Sequence, residues 1–303
     1  MTSIVFPGQG SQTVGMAKDF YENFNIAKQT FEEIGDYTKI DLKKIIFDND
    51  ENKLNLTQFT QICIFTASYA IYRSLNSVRD LKVDNIEIML GHSLGEYTAL
   101  TCSEKINLKD CCLILKKRGE LMNLAVPPNE TGMAALIGLP ANKIQKIIDT
   151  NNLKLEIAND NSEIQIVISG NIKDLKKSRD FFLKNNVKKF ILLNVSAAFH
   201  SKYMIDAQKK LAEEIDKLTF KKNKIKIISN YDANIHDDNI VIKKNLKNQM
   251  ANRVNWTQSI KKLEETGESK IIEIGPNKVL SGLIKRITDN FDILSINQVS
   301  DLK

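Results

Sequence analysis

The sequence is poor in the residues that bind metals or form disulfides. It contains four cysteines, Cys63, Cys102, Cys111 and Cys112, and only three histidines among 303 residues. No cysteine pair has the Cys-x-x-Cys spacing and no histidine lies near a cysteine cluster, so we predict no metal site. Adjacent cysteines cannot easily bridge. We therefore expect reduced, mostly buried thiols in a cytoplasmic protein.

Long apolar runs and targeting leaders are also missing. No segment approaches about 18 consecutive apolar residues, so no membrane span is predicted. The opening residues, MTSIVFPGQG, show neither a charged region before an apolar stretch nor an Arg- and Ser-rich leader. Basic residues outnumber acidic residues by 43 to 37, which gives a net charge of +6. Because the basic residues are scattered, they predict a solvated surface with a mild attraction for acidic partners and no nucleic-acid site.

Most of the chain shows short buried strands that alternate with helices. This pattern predicts an α/β fold whose parallel sheet is covered on both faces. Asn107 is predicted to cap one helix, with Asp110 in its first turn. The predicted strands are residues 3–6, 86–90, 225–229 and 270–274. The predicted helices are residues 12–34, 57–76, 107–124, 202–218 and 238–262, with others beginning at about 94 and 277.

A different order of elements occupies the middle of the chain. Residues 132–139 predict a strand, and Pro140 opens a helix. LKLEIAN and EIQIVISG predict two strands joined by the turn DNS, and a helix at 172–185 leads to the strand KFILLNV. The order is therefore β-α-β-β-α-β, which is the ferredoxin-like pattern.

The sequence thus divides into two predicted domains. Residues 1–129 and 196–303 are expected to form a hydrolase-like α/β catalytic body with a parallel sheet. Residues 130–195 are expected to form a small ferredoxin-like (βαββαβ) subdomain inserted into that body. No internal repeat and no low-complexity linker marks the boundaries.

The segment IMLGHSLGEYTAL (88–100) places Ser93 between two glycines, where a predicted strand meets a predicted helix. Gly-x-Ser-x-Gly in this context is the nucleophile elbow, whose tight turn needs glycine on both sides of the serine. The N-terminus of the following helix presents free N–H groups that can stabilise an oxyanion. This context favours a nucleophilic Ser93 over a serine that only caps the helix.

A nucleophilic serine needs a base, and the three histidines are the candidates. His92 adjoins Ser93, and neighbouring side chains at a strand end point apart, so a structural role is expected. His236 lies in the polar loop YDANIHDDN, which predicts a solvated side chain. Elimination leaves His200, in LLNVSAAFHSKYM. A hydrolase triad fits poorly, since about a hundred residues follow His200. A carbonyl oxygen is therefore the alternative group to orient the imidazole.

Arg118 lies on an apolar helix stripe with Cys111, Leu115 and Met122, at spacings of three and four residues. A buried guanidinium needs a partner. Two partners remain open on these residues alone: an internal Asp or Glu in a structural salt bridge, or a substrate carboxylate held by the guanidinium fork. The turn PGQGSQ follows the first strand, and the backbone N–H of Gln9 is a candidate second oxyanion donor.

Six segments, spread over the whole chain and in order, are similar to one known family. They are FPGQGSQTVGM (6–16), GHSLGEY (91–97), KRGELM (117–122), NVSAAFHS (194–201), NQM with the following V-N-W (248–256) and EIGPNKVLSGLIKR (273–286). Together they resemble the malonyl-CoA:acyl carrier protein transacylases, the acyltransferases of bacterial type II fatty acid synthesis. Such an ordered set is far more specific than the elbow alone.

This resemblance implies roles for the residues singled out above. By resemblance, Ser93 is the nucleophile that becomes malonylated, and His200 is its general base and acid. By the same resemblance, Arg118 is the residue that holds the malonyl carboxylate. This favours a substrate carboxylate over an internal salt bridge as the partner of Arg118. The implied fold is a hydrolase-like α/β body with a ferredoxin-like insert, in agreement with the order of predicted elements.

Supporting roles also follow from the resemblance. Gln9 and Leu94 correspond to the backbone oxyanion donors, and Gln249 corresponds to the residue whose main-chain carbonyl orients the histidine. Phe199 next to the histidine is similar to members that select malonyl over methylmalonyl units, since a bulky ring would crowd an α-methyl group. His92 and Phe199 are thus expected beside the reacting groups.

The implied reaction moves a malonyl group from malonyl-CoA to the phosphopantetheine thiol of acyl carrier protein, in two ping-pong steps. No bound cofactor and no metal are expected. The expected partner is an acidic carrier protein that docks transiently, and a cytoplasmic monomer is expected, with no nucleic acid or membrane partner. Two alternatives remain open: the same chemistry for a polyketide synthase carrier, and a serine thioesterase or hydrolase that releases its product to water.

Overall fold

The structure is a computed structural model that describes residues 2–78 and 85–302. Its backbone contains two separate β-sheets and helices that pack around them. The strands are β1 (Thr2–Phe6), β2 (Ile86–Gly91), β3 (Thr131–Ile137), β4 (Leu155–Ser162), β5 (Gln165–Asn171), β6 (Lys189–Leu192), β7 (Lys226–Ile228), β8 (Ile235–His236), β9 (Lys270–Ile274) and β10 (Asp292–Ile296).

The larger sheet has the strand order β10-β9-β1-β2-β7-β8. Its first five strands run parallel, and only β8 is antiparallel to its neighbour. The interior strand β1 is buried from Ser3 to Phe6 and apolar from Ile4 to Phe6, as expected of a strand covered on both faces. The α/β fold class and the four predicted strands of the body are therefore confirmed. The edge strands β8 and β10 were not predicted, because β8 is very short and β10 is only partly buried.

The smaller sheet is antiparallel and has the order β4-β5-β3-β6. Two helices connect its strands in the predicted β-α-β-β-α-β order, so the ferredoxin-like subdomain is confirmed. The first hairpin differs in detail: β4 continues to Ser162, so the turn falls at Glu163 and Ile164 rather than at DNS. The domain limits at 130 and 195 stay a prediction, although all four strands lie between them.

The α-helices enclose the larger sheet and cover one face of the smaller one. They are α1 (Lys18–Asn23), α2 (Asn25–Thr38), α3 (Thr57–Ser77), α4 (Leu94–Cys102), α5 (Leu108–Leu124), α6 (Ala141–Thr150), α7 (Ile172–Lys184), α8 (Ile205–Lys217), α9 (Asn239–Asn248), α10 (Trp256–Glu264) and α11 (Val279–Ile284). Single-turn or irregular helical segments occur at Lys44–Asp48, Asp50–Asn55, Lys202–Met204 and Val299–Leu302. Asn107 caps α5 by accepting from the Asp110 amide, as predicted.

Two helices that the sequence predicted as continuous are broken. The predicted helix 12–34 is two helices, because Phe24 is extended (φ −125°, ψ 119°) and its ring stacks on Phe20. The predicted helix 238–262 stops at Asn248 and resumes at Trp256. Between these helices, the Val254 amide donates to Ala158 and the Val254 carbonyl accepts from Asp160. This second break results from pairing with β4, a distant contact that local sequence does not show.

The helix α3 runs through the largest apolar cluster of the body. It is 21 residues long and is buried on most sides, as its sequence predicted. In the part of the chain that the structure describes, no helix combines the length and the apolar character needed to cross a bilayer. All four cysteines are buried free thiols, which agrees with the expectation for them.

Candidate active site

Ser93 occupies the turn between β2 and α4, in a strained backbone conformation. Its φ of 53° and ψ of −109° are unusual for a residue other than glycine. The turn closes because Gly91 and Gly95 touch: a Cβ on Gly91 would lie 2.1 Å from the Gly95 carbonyl. A Cβ on Gly95 would equally meet the Phe6 carbonyl at 2.1 Å. The glycines of the motif are thus required by close backbone contact, and the turn presents the Ser93 hydroxyl to a cavity.

His200 lies against this hydroxyl, with its Nε2 2.8 Å from Ser93 Oγ. The other ring nitrogen, Nδ1, lies 3.1 Å from both the Gln249 and the Asn252 carbonyl oxygens. Because carbonyls only accept, Nδ1 carries a proton and Nε2 accepts from the serine. The imidazole is thus oriented without an acid. Gln249 takes the expected position, and the contribution of Asn252 was not anticipated.

The environment of His200 keeps its imidazole neutral. The side chain is buried at 4% exposure. Burial lowers its pKa to about 3, and the charge of Arg118 and the nearby His92 add to the effect. A neutral imidazole is the form that can take a proton from a serine hydroxyl.

Arg118 projects from α5 to the opposite side of the serine. Its Nη2 donates to Ser93 Oγ at 2.9 Å and to Gln249 Oε1 at 3.0 Å, and its Nη1 donates to Gln61 Oε1 at 2.5 Å. The guanidinium also lies over the Tyr97 ring, with 5.5 Å to the centroid. Only 1% of the residue is exposed, and burial lowers the pKa of the group.

Every hydrogen-bond partner of Arg118 in the described residues is neutral. The internal salt bridge to an Asp or Glu, which the sequence left open, is absent from residues 2–78 and 85–302. A buried guanidinium whose hydrogen-bond partners are all neutral is suited to receive an anion, because a carboxylate would supply a counter-charge in direct contact.

The two predicted oxyanion donors, the backbone amides of Gln9 and Leu94, lie in the two turns that meet at Ser93. Leu94 is the first residue of α4, and its N–H is one of the free donors of that helix terminus. Gln9 lies in the turn after β1, beside Gly8, where a Cβ would come within 2.4 Å of the His92 carbonyl. This close approach holds the turn against the elbow. Neither amide meets an acceptor among the residues described.

A cavity of about 250 Å³ opens in front of Ser93 and His200, between the two sheets. The body contributes Gln9, and Phe199 forms part of the wall beside the histidine. The smaller sheet contributes Met133, Ala135, Asn159, Asn161, Gln165 and Val167, all of them uncharged. Arg118 is not among the residues that line the cavity, but its Nη2 lies against Ser93 Oγ, which does line it.

His92 and His236 lie outside the reacting pair, as the sequence predicted. His92 is half-buried and bonds through Nε2 to Asn161 Oδ1 at 2.8 Å, so it links the elbow to the smaller sheet. The expectation of a solvated His236 was wrong. Its side chain is only 16% exposed and contacts Asp232 Oδ2 at 2.9 Å, because β8 folds back onto β7.

Sequence reasoning missed a layer of buried polar residues behind the serine. Asn230 accepts from the Ser93 amide at 2.6 Å and donates to the Gly91 carbonyl at 2.7 Å, so its side chain clamps the elbow. Glu96 is fully buried and accepts from the Asn230 amide and from Gln249 Nε2. The available signal for Glu96 was an acidic residue inside the apolar helix LGEYTALTC.

Comparison with known proteins places this geometry in a family. A family profile described as "Acyl transferase domain" matches residues 4–300. The malonyl CoA-acyl carrier protein transacylase of Bacillus subtilis (strain 168) is 36% identical over 299 residues, which are 97% of this chain and 93% of the relative. The chain belongs to this acyltransferase family. A Staphylococcus aureus (strain MSSA476) transacylase of the same description is 33% identical and is aligned over 100% of the chain and 97% of the relative.

Solved structures agree with this family and with the fold. A 1.7 Å crystal structure of an acyl carrier protein S-malonyltransferase from Vibrio cholerae superposes with a TM-score of 0.93 at 35% identity, covering 99% of this chain and 98% of the other. A malonyl-transacylase in complex with a type II polyketide synthase acyl-carrier protein superposes with a TM-score of 0.94 at 33% identity, covering 99% and 97%.

Proposed function

We propose that this member of the family transfers a malonyl group from malonyl-CoA to the phosphopantetheine thiol of an acyl carrier protein, for fatty acid biosynthesis. The observation that carries the proposal is the position of Arg118. Its buried guanidinium bonds to Ser93 Oγ and to neutral groups only. A cation at this place selects an acyl group that itself carries a carboxylate.

In the first half-reaction, malonyl-CoA enters the cavity and its free carboxylate binds Arg118. The carboxylate oxygens replace Ser93 Oγ as acceptor for Nη2, which leaves the hydroxyl bonded to His200 alone. The imidazole Nε2 takes the hydroxyl proton while Oγ attacks the thioester carbonyl. The carbonyl becomes an oxyanion, which the Gln9 and Leu94 amides stabilise. The carbon–sulfur bond then breaks, and coenzyme A leaves with the proton from His200.

In the second half-reaction, the phosphopantetheine thiol of the carrier takes the place of coenzyme A. His200 accepts the thiol proton, and the sulfur attacks the ester carbonyl of malonyl-Ser93. The same two amides stabilise the second oxyanion. The ester bond breaks, the serine oxygen recovers a proton from His200, and malonyl-carrier leaves. The enzyme returns to its starting state without any bound cofactor, and a metal has no step to perform.

The partner, state and location follow from the same proposal. An acidic carrier fits a chain whose net charge is +6, since opposite charges speed a transient encounter. A related malonyl-transacylase has been solved with its acyl carrier protein. We propose that the protein is a cytoplasmic monomer and that it binds a carrier transiently for each acyl transfer.

One specific comparison supports a second acceptor. The solved complex that contains a polyketide synthase carrier resembles this chain as closely as the other structures do, with a TM-score of 0.94. A polyketide carrier would therefore receive the same malonyl group by the same steps. The hydrolase alternative has less support, because His200 is oriented by carbonyls and Arg118 would have no function in releasing an unbranched acyl group to water.

Intact-mass spectrometry tests the proposal. The full chain is mixed with malonyl-CoA without carrier, and the expected product is a single malonyl adduct that maps to Ser93. Ser93→Ala should give no adduct. Ser103→Ala, which removes a buried hydroxyl at the far end of the same helix, should keep it. Addition of phosphopantetheinylated carrier should then move the adduct to the carrier. Absence of the adduct from the unaltered protein, or its loss to water alone, would contradict the proposal.

A further inference from the structure

Glu96 is a buried acid in the middle of the site that contacts no cation. It lies in the first turn of α4, three residues after Ser93, and is fully buried. No ion pair in the described part of the chain includes it. The positive charge nearest in its hydrogen-bond network, Arg118, is separated from it by the Gln249 side chain, and a buried carboxylate without a direct ion pair costs stability, so its retention calls for a reason. Its contacts supply one.

A single carboxylate oxygen of Glu96 holds two segments of the site. Oε2 accepts from Gln249 Nε2 at 2.7 Å and from the Asn230 amide at 3.1 Å. Asn230 clamps the elbow through its side chain, and Gln249 orients His200 through its carbonyl. The carboxylate therefore ties the helix that follows the serine to the segments that shape the turn and orient the base.

The side-chain amide of Gln249 carries this influence to Arg118. Its Nε2 donates to Glu96 and also to the Ser93 carbonyl at 2.9 Å, and its Oε1 accepts from Arg118 Nη2 at 3.0 Å. An amide can be turned over to exchange its oxygen and nitrogen. Glu96 opposes this exchange together with the Ser93 carbonyl, because a reversed amide would place an oxygen against both acceptors and an NH₂ group against the guanidinium.

We propose that Glu96 is a positioning residue which, through Gln249, fixes Arg118 beside Ser93 and so sets the preference for carboxylated acyl groups. The inference rests on the proposed malonyl transfer. Glu96 does not line the cavity and touches no substrate. Its effect on the reaction passes entirely through hydrogen bonds to Gln249 and Asn230.

The surroundings of the second carboxylate oxygen, Oε1, predict which substitution of Glu96 the protein tolerates. Oε1 of Glu96 has no hydrogen bond of normal geometry, and the Ser229 hydroxyl, which also has none, lies close enough to the carboxyl to lower its pKa. Burial raises the pKa of this carboxyl to about 7, against the opposing effect of its hydrogen bonds. A proton on Oε1 leaves both bonds to Oε2 in place. The nearby titratable or charged groups are Arg118, Tyr97 and Asp232. A glutamine with its NH₂ group at the Oε1 position should therefore preserve the network, and alanine should not.

The test compares kcat/KM for malonyl-CoA and acetyl-CoA in three variants. In Glu96→Ala the malonyl-to-acetyl ratio should fall about 10-fold, a change that corresponds to about 1.4 kcal/mol. Glu96→Gln should keep the ratio within about twofold, which is the rescue expected of a conservative change at a positioning residue. Glu268→Ala serves as control, since it removes another buried carboxylate next to β9. A ratio in Glu96→Ala equal to that of the unaltered enzyme would overturn the inference, whatever the loss of overall rate.

The variant Gln249→Met provides a second test of the inference if Glu96→Ala does not fold. Methionine preserves the length and the backbone carbonyl but removes the amide, so the same fall in the malonyl-to-acetyl ratio is expected. An unchanged ratio in this variant would equally overturn the inference. Failure of the proposed function is a separate result: the unaltered enzyme would then form no malonyl adduct at all, whereas failure of this inference leaves the adduct intact.

Discussion

The two walls of the cavity differ in the way they use polar residues. The wall from the larger sheet holds a serine, a histidine and, behind them, an arginine, each hydrogen-bonded to a defined partner. The wall from the smaller sheet presents uncharged side chains such as Met133, Ala135 and Val167. Loops that are distant in sequence meet at the carboxyl ends of parallel strands. Polar side chains from several segments can therefore be brought together there for catalysis. The antiparallel sheet provides a surface that shapes the acyl site.

Removing the base from the wall of the larger sheet tests the difference between the two walls most strongly. His200→Ala should lower the rate of acylation by malonyl-CoA about 10³-fold, because no other group accepts the Ser93 proton. His236→Gln is the matched control, since His236 lies on the edge strand β8 and bonds to Asp232 instead of Ser93. Stopped-flow or quench measurements of adduct formation check both. A loss below about 10-fold in His200→Ala would assign the base to another group.

Removal of the cation should affect one substrate much more than the other. Arg118→Ala should lower kcat/KM for malonyl-CoA about 10²-fold, the loss expected when charged hydrogen bonds to a carboxylate disappear. Acetyl-CoA lacks that carboxylate, so its kcat/KM should change by less than about threefold.

The control for this variant is Arg73→Ala, because Arg73 also lies over an aromatic ring, that of Tyr69, but is paired with Glu33. It should leave the malonyl-to-acetyl ratio unchanged. Equal losses of kcat/KM for both substrates in Arg118→Ala would instead indicate a structural arginine. The proposal that Arg118 binds the malonyl carboxylate would then be wrong.

The bulk of Phe199 should determine the size of the acyl group. This residue is 4% exposed and lines the cavity next to His200. Phe199→Ala should raise the ratio of methylmalonyl to malonyl transfer about 10-fold, since one methyl group in a tight pocket is worth about that factor. Met133→Ala enlarges the opposite wall and should raise KM for both substrates alike. Competition assays with mixed thioesters measure both ratios. A ratio that shifts equally in the two variants would contradict the difference between the walls.

The smallest expected effect is that of pH. Burial lowers the pKa of His200 to about 3, so the imidazole stays neutral as the pH falls through 6.5. The acylation rate should therefore change by less than about twofold between pH 6.5 and 5, whereas an ordinary histidine would lose about 15-fold. The Glu96→Gln variant is the suitable background, because the pKa of the Glu96 carboxyl, about 7, lies near this range. A fall that follows a pKa near 6.5 would show that His200 is not held neutral.

Much of this architecture could be predicted because its signals are local. The contact that requires Gly91 is with Gly95, a close neighbour in the chain, and the Arg118 stripe follows helical periodicity. The alternation of elements likewise predicted both sheets. The sequence predicted Ser93, His200 and Arg118 as site residues, and the structure brings these three side chains together.

What could not be predicted depends on contacts between distant segments. The break between α9 and α10 arises from the pairing of Val254 with β4, and no glycine or proline marks it. Asn230 and Glu96 were missed for the same reason, since their partners are more than a hundred residues away in sequence. Their clue is a polar residue where a buried apolar one is expected: just after β7 and inside α4.

The most direct test of the account follows the fate of the acyl group on Ser93. The malonyl-enzyme is isolated free of malonyl-CoA and divided between buffer and phosphopantetheinylated carrier, and both are sampled by rapid quench and intact mass. Transfer to the carrier should be at least about 100-fold faster than loss to water, a barrier difference of about 3 kcal/mol. The malonyl mass should appear on the carrier as it leaves the enzyme. Equal rates in the two samples, with free malonate as the product, would contradict the account and identify a hydrolase.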